Sequence, residues 1–192
     1  MPRKPLITRE MILRCAFDLV REKGVQALSV RAVAGRLSCS TQPVLYQFSS
    51  VAELIQAVYE EADAFHTQYL FAPEGEERNP LLALGLRYIR FAAEEGNLFR
   101  FLFQSDHFAG RSLEELTTAP DAQGLLQTAG EALALDESEA RQAFLVLFSA
   151  VHGYASLLAN NTMPYEPEMA EGMLRSLGRT LEKGGNPHEE MV

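Results

Sequence analysis

Apolar positions along this chain recur with helical period almost from end to end. Met11, Ile12, Cys15, Ala16, Leu19 and Val20 fall at i, i+1, i+4, i+5, i+8 and i+9, which is one stripe of an amphipathic helix. Thr8 can cap that helix, and Lys23-Gly24 closes it with a cation in the last turn and a residue free to turn left-handed. Ser29 can cap a second helix with the stripe Val30, Val33, Ala34 and Leu37. Ser38 and Cys39 make a tight turn. Ser40 then opens a short third helix with Pro43 in its first turn and Val44 and Phe48 facing inward. Ser50 to Glu53 has the form of a capping box and starts a fourth helix carrying Leu54, Val58, Ala62, Phe65 and Tyr69.

The same pattern continues beyond a polar break at residues 73–79. Asn79-Pro80 starts a fifth helix, with Leu82, Leu86, Ile89 and Ala93 on one face and Gly96 as its end. A short aromatic helix covers residues 97–103, and 104–120 is the least regular stretch. Further helices fit 121–135, 137–160 and 166–183, the second opened by an Asp136/Glu139 box. No strand pattern and no repeat occurs, so the expected fold is all-α. It comprises a three-helix, helix-turn-helix head over 1–50 and a helical-bundle body over 51–185 for ligand binding and dimerisation. Residues 186–192 read as a disordered tail.

Charge sharpens that division. The chain of 192 residues carries a net −9. Residues 1–50 hold eight Lys/Arg against three Asp/Glu, or +5, and the rest hold nine against 23, or −14. A basic head on an acidic body points one face at a polyanion. The two cysteines, Cys15 and Cys39, form no disulfide framework and fit a reduced, cytoplasmic protein. Cys39 reads as a packing residue of the turn ahead of a redox sensor. His66, His107, His152 and His188 have no metal-ligand spacing, so neither metal nor cofactor is expected. No run of about 18 apolar residues is present, and no membrane span is expected.

The third helix has the composition of a recognition helix. Such a helix lies in the major groove with its N-terminal residues towards base edges. Ser40, Thr41 and Gln42 can donate to and accept from bases or phosphates, and Tyr46 and Gln47 can reach the flanking backbone. Read without further context, a helical hairpin whose polar residues only cap and turn is the competing interpretation.

The stretch TREMILRCAFDLVREKGVQALSVRAVAGRLSCSTQPVLYQFSSVAELIQAV, Thr8 to Val58, resembles the DNA-binding domain of the tetracycline-repressor family of bacterial transcription regulators. The resemblance rests on Ala16-Phe17, Gly24, the Ser29-Val30-Arg31-x-Val33-Ala34 start, Leu37, Ser40 and the Phe48, Ser50, Glu53, Leu54 step. It implies that Arg31, Thr41, Gln42, Pro43, Tyr46 and Gln47 line a DNA face. Leu45 and Val51 depart from the family, which usually has Tyr and often Lys there. Both departures remove phosphate contacts, which Arg3, Lys4 and Arg9 are placed to replace from an N-terminal arm.

The body resembles the regulatory half of the family's Trp-His-Gly subgroup, through NPLLALGLRYIRFAAEEGNLFRFLF and FSAVHGYASLLANN. Phe148 stands in place of the Trp, and His152-Gly153 is kept. The resemblance implies a ligand pocket and a homodimer built by the last two long helices. Phe65, Tyr69, Phe91, Phe99, Phe103, Phe108, Tyr154 and Met163 supply bulky apolar surface for such a pocket, and His66 and His152 are candidate polar contacts. Each of these, taken singly, is more often ordinary core. The expected function is a homodimeric regulator, a repressor, binding a palindromic double-stranded DNA operator and released by a small apolar effector. A small helical enzyme and a protein-binding adaptor are the alternatives. The first lacks any nucleophile–base spacing, and the second leaves the basic head unexplained.

Overall fold

The computed structural model describes residues 7–72, 79–104, 112, 115, 118, 120–161 and 163–184. Among them there are nine α-helices and no strand. These are α1 (Arg9–Lys23), α2 (Val30–Arg36), α3 (Thr41–Gln47), α4 (Val51–Leu70), α5 (Pro80–Glu94), α6 (Gly96–Phe103), α7 (Pro120–Leu133), α8 (Glu137–Asn161) and α9 (Pro167–Gly184). The fold is therefore all-α, with a helix-turn-helix followed by a C-terminal helical domain.

The predicted caps explain most of the boundaries. The Thr8 hydroxyl accepts from the Met11 amide at 3.2 Å, and the Ser29 hydroxyl from Ala32 at 3.1 Å. Gly24 ends α1 at φ 80°, where a side chain would be strained. Asp136 and Glu139 exchange backbone-to-carboxylate bonds at 2.9 and 3.0 Å, a complete capping box. At α4 the box is shifted by one residue. The Ser50 hydroxyl takes the Glu53 amide, while the Glu53 carboxylate reaches Ser49 instead of Ser50. Two expectations are corrected. Ser40 occupies the position before α3, but its hydroxyl makes no capping bond. Gly96 does not end α5; it is the first residue of α6, and the break falls at Glu95.

The described residues fall into two compact units, one drawn from Met1–Gln68 and Glu95–His107, the other from Tyr69–Glu94 and Phe108–Val192. In the first, α1 packs on α2, α3 and α6 around Ile12, Ala16, Val20, Val33, Val44 and Phe48. The buried face of α4 is Leu54, Val58, Ala62 and His66, one stripe at every fourth residue. Edge-to-face ring pairs Phe17–Phe65, Tyr59–Phe101 and His66–Phe103 lie in this unit. In the second, α5 packs on α8 and α9, and α7 on α8.

By length and composition α8 is apolar enough to cross a membrane. Ser149, His152, Gly153 and Ser156 interrupt its apolar run, so counting uninterrupted apolar residues does not find it. Its Ala143, Leu147, Val151, Ala155 and Leu158 are buried within the second unit, as in a core helix.

Candidate nucleic-acid interface

Helix α3 is two-faced. Val44 is fully buried and Phe48, just past its end, is 1 % exposed, and both are set in the head's core. On the opposite side Tyr46 is 85 % exposed and Leu45 50 %. Gln42, four residues before Tyr46, is exposed on the same side; Ser40, just before α3, and Arg31 on α2 are exposed as well. Thr41, Pro43 and Gln47 are half-buried at the edge of this face. The turn before α3 is tight: Ser38 is held at φ 53°, and the Cys39 amide donates to the Ala34 carbonyl at 2.9 Å. Cys15 is buried on α1, where burial raises its thiol pKa, so it stays protonated.

The basic surplus of the head is partly consumed inside it. Arg9 donates to the Gln47 carbonyl at 2.6 Å and to Glu53 at 3.2 Å, and its guanidinium lies 3.9 Å over the Phe48 ring. It thereby ties the start of α1 to the end of α3 and the first turn of α4. The Ser49 hydroxyl and amide, and then Arg9, hold the Glu53 carboxyl below its usual range. Arg36 forms a two-bond fork with Glu22 at 2.6 and 2.7 Å, which lowers the Glu22 pKa. Arg21 forks onto Glu95, and Asn97 donates to the Arg21 carbonyl at 2.9 Å, so α6 is fastened to the end of α1. Arg9 thus belongs to the folded head, and Arg3 and Lys4 lie outside the described residues.

The candidate ligand residues separate between the two units. Phe65, His66, Phe99 and Phe103 are in the first. His66 is buried, with its ring 5.1 Å edge-on to Phe103, and desolvation pushes its pKa down to about 4. Tyr69, Phe91, His152 and Tyr154 are in the second. The Tyr69 hydroxyl donates to Glu94 at 2.7 Å, and its ring stands 5.3 Å from Phe91. Tyr88 and the Nδ1 of His152 are hydrogen-bonded at 2.9 Å, and the His152 ring stacks on Phe148, which stacks on Phe144. Tyr88 is buried, and its place with Leu81 and Ala92, at i−7 and i+4 on one helix face, is the sequence signal for it. Tyr154 is half-buried and Met163 exposed. Phe108 lies outside the described residues.

Comparison with known proteins fits this geometry. The profile described as "Tetracyclin repressor-like, C-terminal domain" matches residues 81–181, more than half of the chain. The chain belongs to the tetracycline-repressor family. At that level it is a transcriptional regulator. Its fold is similar to that of a TetR-like transcriptional regulator from Rhodococcus sp. RHA1, with TM-score 0.63 and 19% identity over 95% of this chain and 100% of that one. It is also similar to a protein of unknown function from Rhodococcus sp. RHA1, with TM-score 0.66 and 22% identity over 95% and 96%. A third similar structure is the multidrug binding protein EbrR in complex with imidazole, with TM-score 0.53 and 22% identity over 88% of each chain. No curated protein matches.

Proposed function

We propose that this regulator is a homodimeric repressor that binds a palindromic operator through α3 and is released by a small effector of low polarity. The observation that carries the reading is Tyr46, 85 % exposed on a helix whose other face is sealed core. A large aromatic left in water one turn from Gln42 costs apolar exposure that a folded monomer has no reason to keep. Against a duplex, its ring and hydroxyl meet sugar and phosphate, while Gln42 reaches base edges. Ser40, Thr41, Pro43 and Gln47 complete the proposed face. The division of labour at residue 50 is likewise a proposal about function; the packing units are drawn elsewhere in the chain.

The dimer is supported by α8 and α9. Val146, Ser149, Gly153 and Leu157 form an exposed, uncharged stripe on α8, and Met169 stands exposed on α9. Two such hairpins back to back make a four-helix interface. The bound operator then presents two half-sites about 34–36 Å apart, and an effector acts by favouring the dimer state that does not match this spacing. The EbrR structure shows a small molecule bound to a protein of similar fold. Here Tyr69, Phe91, His152 and Tyr154 of the second unit, and Phe65, His66 and Phe103 of the first, are the proposed effector contacts. The protein is proposed to act in the cytoplasm.

The test begins with selection of binding sequences from a random duplex library. Tyr46→Ala and Gln42→Ala should each weaken the selected operator by about 1–3 kcal/mol and leave the melting temperature unchanged. Selection of no preferred sequence by the wild-type chain would refute the reading.

A further inference from the structure

The open side of α3 carries an aliphatic residue that neither capping nor packing explains. Leu45 is 50 % exposed, although Val44 beside it is fully buried. One residue step turns about 100° round a helix, so the sealed side taken by Val44 and Phe48 leaves no core position for Leu45. It stands instead with Gln42 and Tyr46, at i, i+3 and i+4 on one face. An aliphatic side chain in the middle of a face otherwise made of an amide and a phenol calls for an apolar partner there.

The chemistry of a duplex offers few. Leu45 has no donor or acceptor, so it holds no phosphate. Set against a base nitrogen or oxygen, it desolvates that atom without replacing its hydrogen bond, which is a cost. The major groove presents one apolar group at the base edges, the C5-methyl of thymine. Gln42 has the complementary preference, since its amide pairs bidentately with N6 and N7 of adenine. The spacing suits a joint reading. Three residues advance about 4.5 Å along α3, and stacked bases lie about 3.4 Å apart, so the two side chains fall on neighbouring or next-but-one base pairs.

We infer that Leu45 is a specificity-determining residue that reads a thymine methyl group in each operator half-site, within two base pairs of the position read by Gln42. This rests on the proposed seating of α3 in the major groove. Leu45, where Tyr is usual in the family, then exchanges a phosphate contact for a base contact, and the change alters which sequence is bound as well as how tightly.

The probe is the duplex that the wild-type protein selects from a random library, synthesised with each thymine replaced in turn by uracil. That replacement removes the methyl group and keeps every hydrogen-bonding group. Binding of the full-length protein should weaken about fourfold at one thymine per half-site, and about fifteenfold when both are replaced, as expected for one buried carbon at each. Leu45→Ala, which keeps a good helix former at an exposed position, should retain the helix content and bind the thymine and uracil duplexes alike. Leu45→Met, still apolar, should keep the difference. A selected duplex in which no thymine is sensitive to loss of its methyl group overturns the inference and leaves DNA binding through α3 intact. Sensitivity that persists in Leu45→Ala assigns the contact to another residue and overturns it equally. Selection of no sequence at all removes the DNA reading, and the inference with it.

Discussion

Two helical faces of this molecule stand open to water, and they differ in kind. On α3 the open residues are Gln42, Leu45 and Tyr46, and the two polar ones are able to meet a polar, charged surface. On α8 they are Val146, Ser149, Gly153 and Leu157, spaced at i, i+3, i+7 and i+11, without charge. On the proposed reading the first face meets an anionic duplex and remains bare between encounters. The second has the spacing of a helix–helix seam, and its apolar residues lose free energy whenever they are bare. The two faces thus differ in side-chain chemistry, although each is open to water in a single chain.

The sharpest way to break the comparison is to cross from the open side of α3 to its closed side. Phe48→Ala should destabilise the head by about 3–5 kcal/mol, because it empties a sealed core position. Tyr46→Ala should cost less than about 0.5 kcal/mol in the same denaturant titration. Equal losses would mean that the two faces of α3 are not different. On α8, Val146→Glu with Leu157→Glu should shift the dimer to monomer in light scattering while helix content is retained. The cost of burying the two carboxylates, about 3 kcal/mol or more, corresponds to a weakening of roughly a hundredfold. A double variant that remains dimeric places the seam elsewhere.

Acid separates the two regions by a different route. Burial holds the His66 imidazole at about 4, against about 6.5 in an unfolded chain. Between those values the unfolded chain binds more protons, so stability is level above pH 6.5 and declines as pH falls from 6.5 towards 4. The full loss is about 3 kcal/mol at 1.36 kcal/mol per unit. His152 is also held low by burial, but it is half-buried and bonded to Tyr88. Hydrogen exchange should therefore show the first unit loosening before the second as pH is lowered, and His66→Phe should remove the difference. The smallest effect concerns Ala134, held at φ 54° after α7. Ala134→Gly relieves that strain and should stabilise the second unit by up to about 1 kcal/mol in a denaturant titration. Gly at Ser38 (φ 53°) should do the same for the first.

The head was legible because its signals are local. Thr8, Ser29 and Gly24 mark their own helix ends, and Val44 and Phe48 declare their face by spacing. What could not be read was association over long separations. The Arg21–Glu95 and Asn97–Arg21 bonds join residues 74 and 76 apart, and they place α6 with the head. Periodicity reports that Phe65, Phe103, Phe91 and Tyr154 have an inward side, but not into which of two cores each turns. Gly96 misled because glycine commonly stops a helix, whereas here the chain restarts on it.

If the head binds DNA as proposed, its exposed arginine–carboxylate clamps make the affinity respond to ionic strength in two ways. Arg9–Glu53 and Arg36–Glu22 lie where mobile ions reach them, whereas the Glu95 side chain of the Arg21–Glu95 pair is largely covered. At about 0.15 M salt the screening length is near 8 Å, so exposed pairs of this kind are weakened by added salt. Arg9 also holds the Gln47 carbonyl, so the seat of α3 softens under the same conditions that displace protein from the duplex. The slope of log K against log salt then contains two parts, ions released from DNA at about 0.9 per neutralised phosphate and ions taken up by a loosened head. A phosphate count taken from that slope is an upper bound for this regulator. Repeating the titration with Arg9→Met, where the clamp is already absent, separates the two parts.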